Sequence, residues 1–183
     1  MGATTVNPPD FPALVNQSDY IVRAVVRSVT TDFVSLGSRK IISQVELDVK
    51  EVIAGKPPSP LVLRVLGGKV GEREMILEGA PKFRVGGEAI YFVQGNGRQI
   101  CPLVAMMHGV YPIKREASGR EFMARSNQVP LQDGSEVILP MTQGGGADLQ
   151  SRRRTAATAL TPAQFSQQIR AAVKPSNARL REY

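Results

Sequence analysis

The stretch Arg39–Gly55, RKIISQVELDVKEVIAG, alternates apolar and polar residues along most of its length. Ile41, Val45, Leu47, Val49 and Val52 nearly share one face, while Gln44, Glu46, Asp48 and Lys50 take the other. Successive side chains of a strand point to opposite sides, so this period predicts a long, half-buried β-strand. A strand of that length needs partners along its edges and cover over its dry face.

The neighbouring sequence supplies both. YIVRAVVRSVTTDF (20–33) and LVLRVLGG (61–68) read as strands, joined to Arg39–Gly55 by polar or Pro-rich connectors; KPPSP (56–60) cannot supply the donors of a central strand. EAIYFVQG (88–95) is a further strand, and Asn96-Gly97 predicts a type I′ hairpin with Arg98–Gly109 returning. VYPIKRE (110–116) continues or adds a strand, with REFMAR (120–125) and SEVILPM (135–141) as weaker candidates. KVGEREMILEGAP (69–81) reads as a long charged loop. With no Trp and 5% aromatic residues, the core rests on Val, Ile and Leu, which favour strands.

Asp10–Asp19 predicts a short helix or turn. Near the other end Thr161, Pro162 and Gln164 form a capping box, Phe165, Ile169 and Val173 make a narrow apolar stripe, and Pro175 stops the helix. The expectation is mainly β: a small antiparallel OB-like barrel of five or more strands with a short N-terminal and a C-terminal helix. Residues 1–141 form the barrel domain, 142–160 a Gly/Arg-rich linker, and 161–183 the terminal helix and basic tail.

The formal charge of +7 is unevenly placed. Residues 152–183 hold seven basic side chains, including Arg152, Arg153 and Arg154, against Glu182 alone, leaving +1 for 1–151. The basicity therefore describes a tail, and nucleic-acid binding is not expected as the main role. A single cysteine, Cys101, excludes an internal disulfide. No apolar run is long enough to span a membrane. The opening MGATTVNPPDF reads as the start of a mature chain behind a new Met-Gly, an expectation of export with the signal removed.

The paired glycines invite a phosphate-loop reading, which requires a helix directly behind them. Gly86-Gly87 precede EAIYFV and Gly67-Gly68 precede KVGERE, neither of them helical, so they read as turns. The lone His108 and Cys101 lie an odd number of residues apart and would face opposite sides of one strand. Glu46/Asp48 lie on a wet strand face, and Glu72/Glu74 lie in a loop with Arg73 between them. No catalytic residue, metal site or cofactor is expected.

SDYIVRAVVRSVT, VELDVKEVIAGKPP, LVLRVLGGKVG, GAPKFRVGGEAIYFV and HGVYPI together resemble a group of bacterial exported proteins of unknown function. That resemblance covers about Ser18 to Ile113 and implies export and a β-barrel domain. More distantly, DYIVRAVVRSV and FRVGGEAIYFVQGNGRQICPLV resemble the netrin module and the tissue inhibitors of metalloproteinases, OB-fold barrels. The inhibitory N-terminal cysteine of that group has no counterpart here.

The expected function is an exported, non-catalytic binding domain. Its partner would be a protein met through the 69–81 loop, with Lys69, Glu72, Arg73 and Glu74, or through the terminal helix. A netrin-like protease inhibitor and a single-stranded nucleic-acid-binding OB-fold are the alternatives.

Overall fold

The computed structural model describes residues 7–139 and 156–175. Helix α1 (Phe11–Gln17) starts at Asp10, whose carboxylate accepts from Ala13 N at 2.8 Å, and leads into β1 (Tyr20–Phe33). Then follow β2 (Ile41–Gly55), β3 (Leu61–Leu66), the short β4 (Gly68–Val70) and β5 (Arg73–Met75), and β6 (Glu88–Val93). A 3-10 turn (Met106–Gly109) leads to β7 (Val110–Arg115) and β8 (Glu121–Met123); a second (Gly134–Ile138) and α2 (Pro162–Ala172) come last.

Six strands form one antiparallel sheet in the order β3-β2-β1-β6-β7-β8, and β4 pairs with β5 alone. No strand joins β3 to β8 among the described residues, so the expected barrel is corrected to an open sheet. Its long strands bend at bulges: the β1–β2 register shifts between Ile21 and Val22, Arg23 and Ala24, and Val26 and Ser28. Ile53 is the extra residue of the first shift. Ile53 is buried on the helix side of the sheet, whereas Val52 lies opposite Val22 on the expected face yet is 46% exposed.

Both sides of the sheet are covered at its centre. Along β6, Ala89, Tyr91 and Val93 pack with Val22, Ala24, Val26, Val45, Leu47 and Leu63 in one core. The intervening Ile90 and Phe92 join Leu14, Tyr111, Phe165 and Ile169 in a second core beneath the helices. Helix α2 carries the expected capping box, with Gln164 N donating to Thr161 Oγ1 at 3.3 Å and Thr161 N to Gln164 Oε1 at 2.9 Å. The helix docks on its own sheet: the Phe165 ring lies 5.3 Å from Tyr111 and 6.1 Å from Phe92. Val173, expected on the same stripe, is 40% exposed because the helix ends at Ala172.

The stretch after β6 departs most from expectation. Arg98–Gly109 is not a returning strand; it touches β6 through a single bridge, Val93 to Leu103, before the 3-10 turn. The Asn96-Gly97 turn is closed by Arg98 N donating to Gly95 O, and only Gly97 of the central pair has positive φ (82°). That is type II geometry rather than I′. The Asn96 carboxamide instead serves the far edge of the sheet, where it accepts from Arg64 N at 3.1 Å and donates to Val62 O at 2.8 Å. Leu66 N donates to Ile100 O at 2.7 Å, so the 96–100 segment covers the β3 edge without forming a strand.

The weak strand candidate at 135–141 is likewise corrected to the 3-10 turn Gly134–Ile138, its final residues falling outside the described ones. Asp133 caps that turn by accepting from Ser135 N. Of the linker expected at 142–160, residues 142–155 lie outside the described residues. Leu160, at its end, is pinned between Leu131 O and Met123 N.

Candidate binding cleft

The first core is not covered everywhere. After β5 the chain forms a strap that packs Leu77, Ala80 and Phe83 against that core. It then leaves a cleft of about 740 Å³ over β6 and β7. Val26, Ala89, Tyr91, Val110 and Pro112 contribute an apolar floor. Lys82, Phe83 and Arg84 form the strap wall, and Lys114 with the Ser126–Gln128 turn forms the other.

Local sequence explains each wall. Gly86, at φ 83°, turns the strap into β6, with Gly87 N donating to Arg84 O and Gly86 N to Val26 O. This is the punctuation role expected of the paired glycines, since a strand follows. Phe83 stacks on Tyr91 with ring centroids 6.3 Å apart, which fixes the strap above the floor. Opposite, Ser126 Oγ is held between the carbonyls of Met107 (2.5 Å) and Val110 (2.9 Å). Asn127 Oδ1 accepts from Val129 N, and Gln128 Nε2 donates to Ser126 O.

Two features mark this cleft among the described residues. The first is charge. Lys82, Arg84 and Lys114 are exposed and make no ion pair there. The one acidic lining residue, Glu88, accepts from Arg23 Nε at 2.6 Å. Arg23 also reaches Glu121, whose carboxyl lies below its usual range through bonding to Arg115 and the charge of Arg23. The second is backbone strain. Ala105, Met106 and Gln128 are the non-glycine residues with positive φ. Gln128 lines the cleft, and the other two lead into Met107, which lines it as well. Each such conformation costs roughly 1–2 kcal/mol, and strain of this kind collects at functional sites.

Behind the turn lies a buried polar seam. Arg125 is 4% exposed; its guanidinium donates to Leu139 O, and its Nε, the Tyr111 hydroxyl and His108 Nδ1 have no hydrogen-bond partner among the described residues. Burial and the Arg125 charge push the His108 pKa down.

The expected recognition residues lie elsewhere. Lys69, Glu72, Arg73 and Glu74 sit on the β4–β5 hairpin, not on a plain loop, and all four are exposed. Lys69 pairs across the hairpin with Glu74, and Arg73 lies 6.0 Å from the Phe33 ring. Two basic and two acidic groups leave the hairpin balanced. Arg152, Arg153 and Arg154 lie outside the described residues. Cys101 is buried in the first core, and burial pushes its thiol up to about 11, so it stays protonated at neutral pH. Among the described residues, no group of three or more His, Cys, Asp or Glu is placed to hold a metal ion, and no helix is long and apolar enough to cross a membrane.

The cleft cations were hidden in the sequence because they come from distant positions. KFR (82–84) lies on the strap and Lys114 on β7. The available signal was KFRVGG itself, an aromatic residue between two cations before a turn.

No family model, no curated protein and no solved structure matches this chain. Neither resemblance noted in the sequence gains support from that comparison.

Proposed function

We propose that this chain is a non-catalytic binding domain, an OB-like sheet left open on one side, whose ligand lies in the cleft above β6 and β7. One observation carries the reading: unpaired cations, an apolar floor and strained backbone converge on one concavity. Strain of about 1–2 kcal/mol per residue, kept at a cleft wall, favours a site over a packing accident. The balanced β4–β5 hairpin is a weaker candidate for recognition, because its charges largely cancel. A protein partner remains the preferred ligand class, and export is proposed on the sequence resemblance alone.

The nucleic-acid reading has the three cations in its favour. It lacks a stacking platform, since Tyr20, Tyr91 and Phe92 are buried and only Phe83 offers part of a ring at the cleft.

The test is a thermal-shift screen of chemically varied small molecules and peptides, run on the wild type and on a Lys82→Glu, Arg84→Glu, Lys114→Glu triple variant. Stabilising hits on the wild type that vanish in an equally folded triple variant support the cleft. Hits that persist unchanged in the variant overturn it.

A further inference from the structure

We infer that the occupant of this cleft is an extended, acidic peptide segment of a partner protein, seated with an apolar side chain on the floor and carboxylates toward the walls. The inference rests on the cleft being the ligand site.

The charges select the sign. Lys82 and Arg84 stand on the strap and Lys114 on the facing side, and the only lining carboxylate is already bonded to Arg23. Carboxylates spaced along an extended chain, whose alternate side chains diverge, can meet both walls at once. The floor selects an apolar anchor between them: Pro112 and the Phe83 ring are partly exposed there, over a buried base of Val26, Ala89 and Val110. A purely inorganic anion would leave that surface unused.

The rim selects a peptide main chain. Asn127 spends its Oδ1 on Val129 N, and Gln128 spends its Nε2 on Ser126 O. Asn127 Nδ2 and Gln128 Oε1 have no partner among the described residues. Consecutive residues of the turn therefore carry one spare amide donor and one spare amide acceptor, the two groups a peptide unit of the partner would use. Gln128 has positive φ, a conformation kept at an energetic cost by the surrounding turn. Nucleobases would instead need exposed aromatic faces, and recognition of single strands depends on such stacking.

The probe is a fluorescein-labelled, end-capped synthetic peptide with a Leu-Phe centre flanked by Glu residues, titrated by anisotropy against the full chain. Companion probes are the same peptide with Gln for Glu and a labelled oligo-dT. The acidic peptide should bind saturably and weaken with salt. The Lys82→Glu, Arg84→Glu, Lys114→Glu variant should lose about tenfold or more, as expected for three exposed ion pairs. Phe83→Ala, which leaves every charge in place, should weaken both the acidic and the Gln peptide. Equal binding of the Gln and Glu peptides overturns the inference. So does tighter, triple-sensitive binding of oligo-dT. If the acidic peptide fails while screen hits still depend on the triple variant, the peptide assignment falls and the cleft reading stands. If nothing depends on the variant, both fall.

Discussion

Asn96 meets the backbone of β3 at two points, donating from Nδ2 to Val62 O at 2.8 Å and accepting at Oδ1 from Arg64 N at 3.1 Å. The carboxamide behaves as one residue of a missing strand. Asn96→Ala should destabilise the protein by about 1 kcal/mol, the net worth of such bonds. Asn96→Asp should cost more at neutral pH, because a carboxylate then faces the Val62 carbonyl. Its excess cost should shrink below about pH 4, where a protonated acid donates again. Urea denaturation of both variants across pH checks the sign.

His108 is the only histidine, which makes its titration legible. Its folded pKa is lowered from 6.5 by burial and by Arg125. Below pH 6.5 the unfolded chain takes up a proton that the folded chain refuses, so stability is full above that value and falls as pH drops through it. His108→Gln should flatten the melting temperature between about pH 6.5 and 5 relative to wild type. An equally steep fall in the variant would remove His108 as the cause.

Gly68 has no room for a side chain: an added Cβ would lie 2.6 Å from Ser43 Oγ and 2.7 Å from Thr31 Cγ2. Gly37 also has positive φ but faces open space. Gly68→Ala should therefore cost more than Gly37→Ala, whose penalty is only the backbone term of about 1–2 kcal/mol. Chemical denaturation of the pair separates crowding from strain.

The docking of α2 is apolar rather than ionic. Phe165→Ala empties a fully buried ring site and should cost about 3–5 kcal/mol. Arg170 pairs with Glu51 at 2.5 Å on a partly exposed surface, and Arg170→Ala should cost less than about 1 kcal/mol. Comparable losses from the two variants would contradict this division.

The long elements were readable because their signals are local. Alternation over Tyr20–Phe33 and Ile41–Gly55 dictates strands whatever surrounds them, and the Thr161–Gln164 capping box marks a helix start within four residues. At Val52 the face was legible but the exposure was not: it lies opposite Val22 yet is 46% exposed, and the bulges that set its side have no reliable local mark. The segment after β6 misled for a related reason. Asn96-Gly97 suits a hairpin turn, yet the Asn96 side chain is claimed by a strand over thirty residues upstream. The cleft was least readable of all. Its cations acquire meaning only when the strap and β7 face each other, and its polar turn at 126–128 carries no motif.

The alternation along β6 has a mechanical consequence. Tyr91 and Phe92 are neighbours on the chain, yet each is keyed into a different compartment, so β6 works as a party wall. Stripping it from either side breaches both, and heat should melt the sheet and its helical layer as one event. By the same route, a ligand clamped over Tyr91 would slow amide exchange as far away as α2, on the opposite side of the wall.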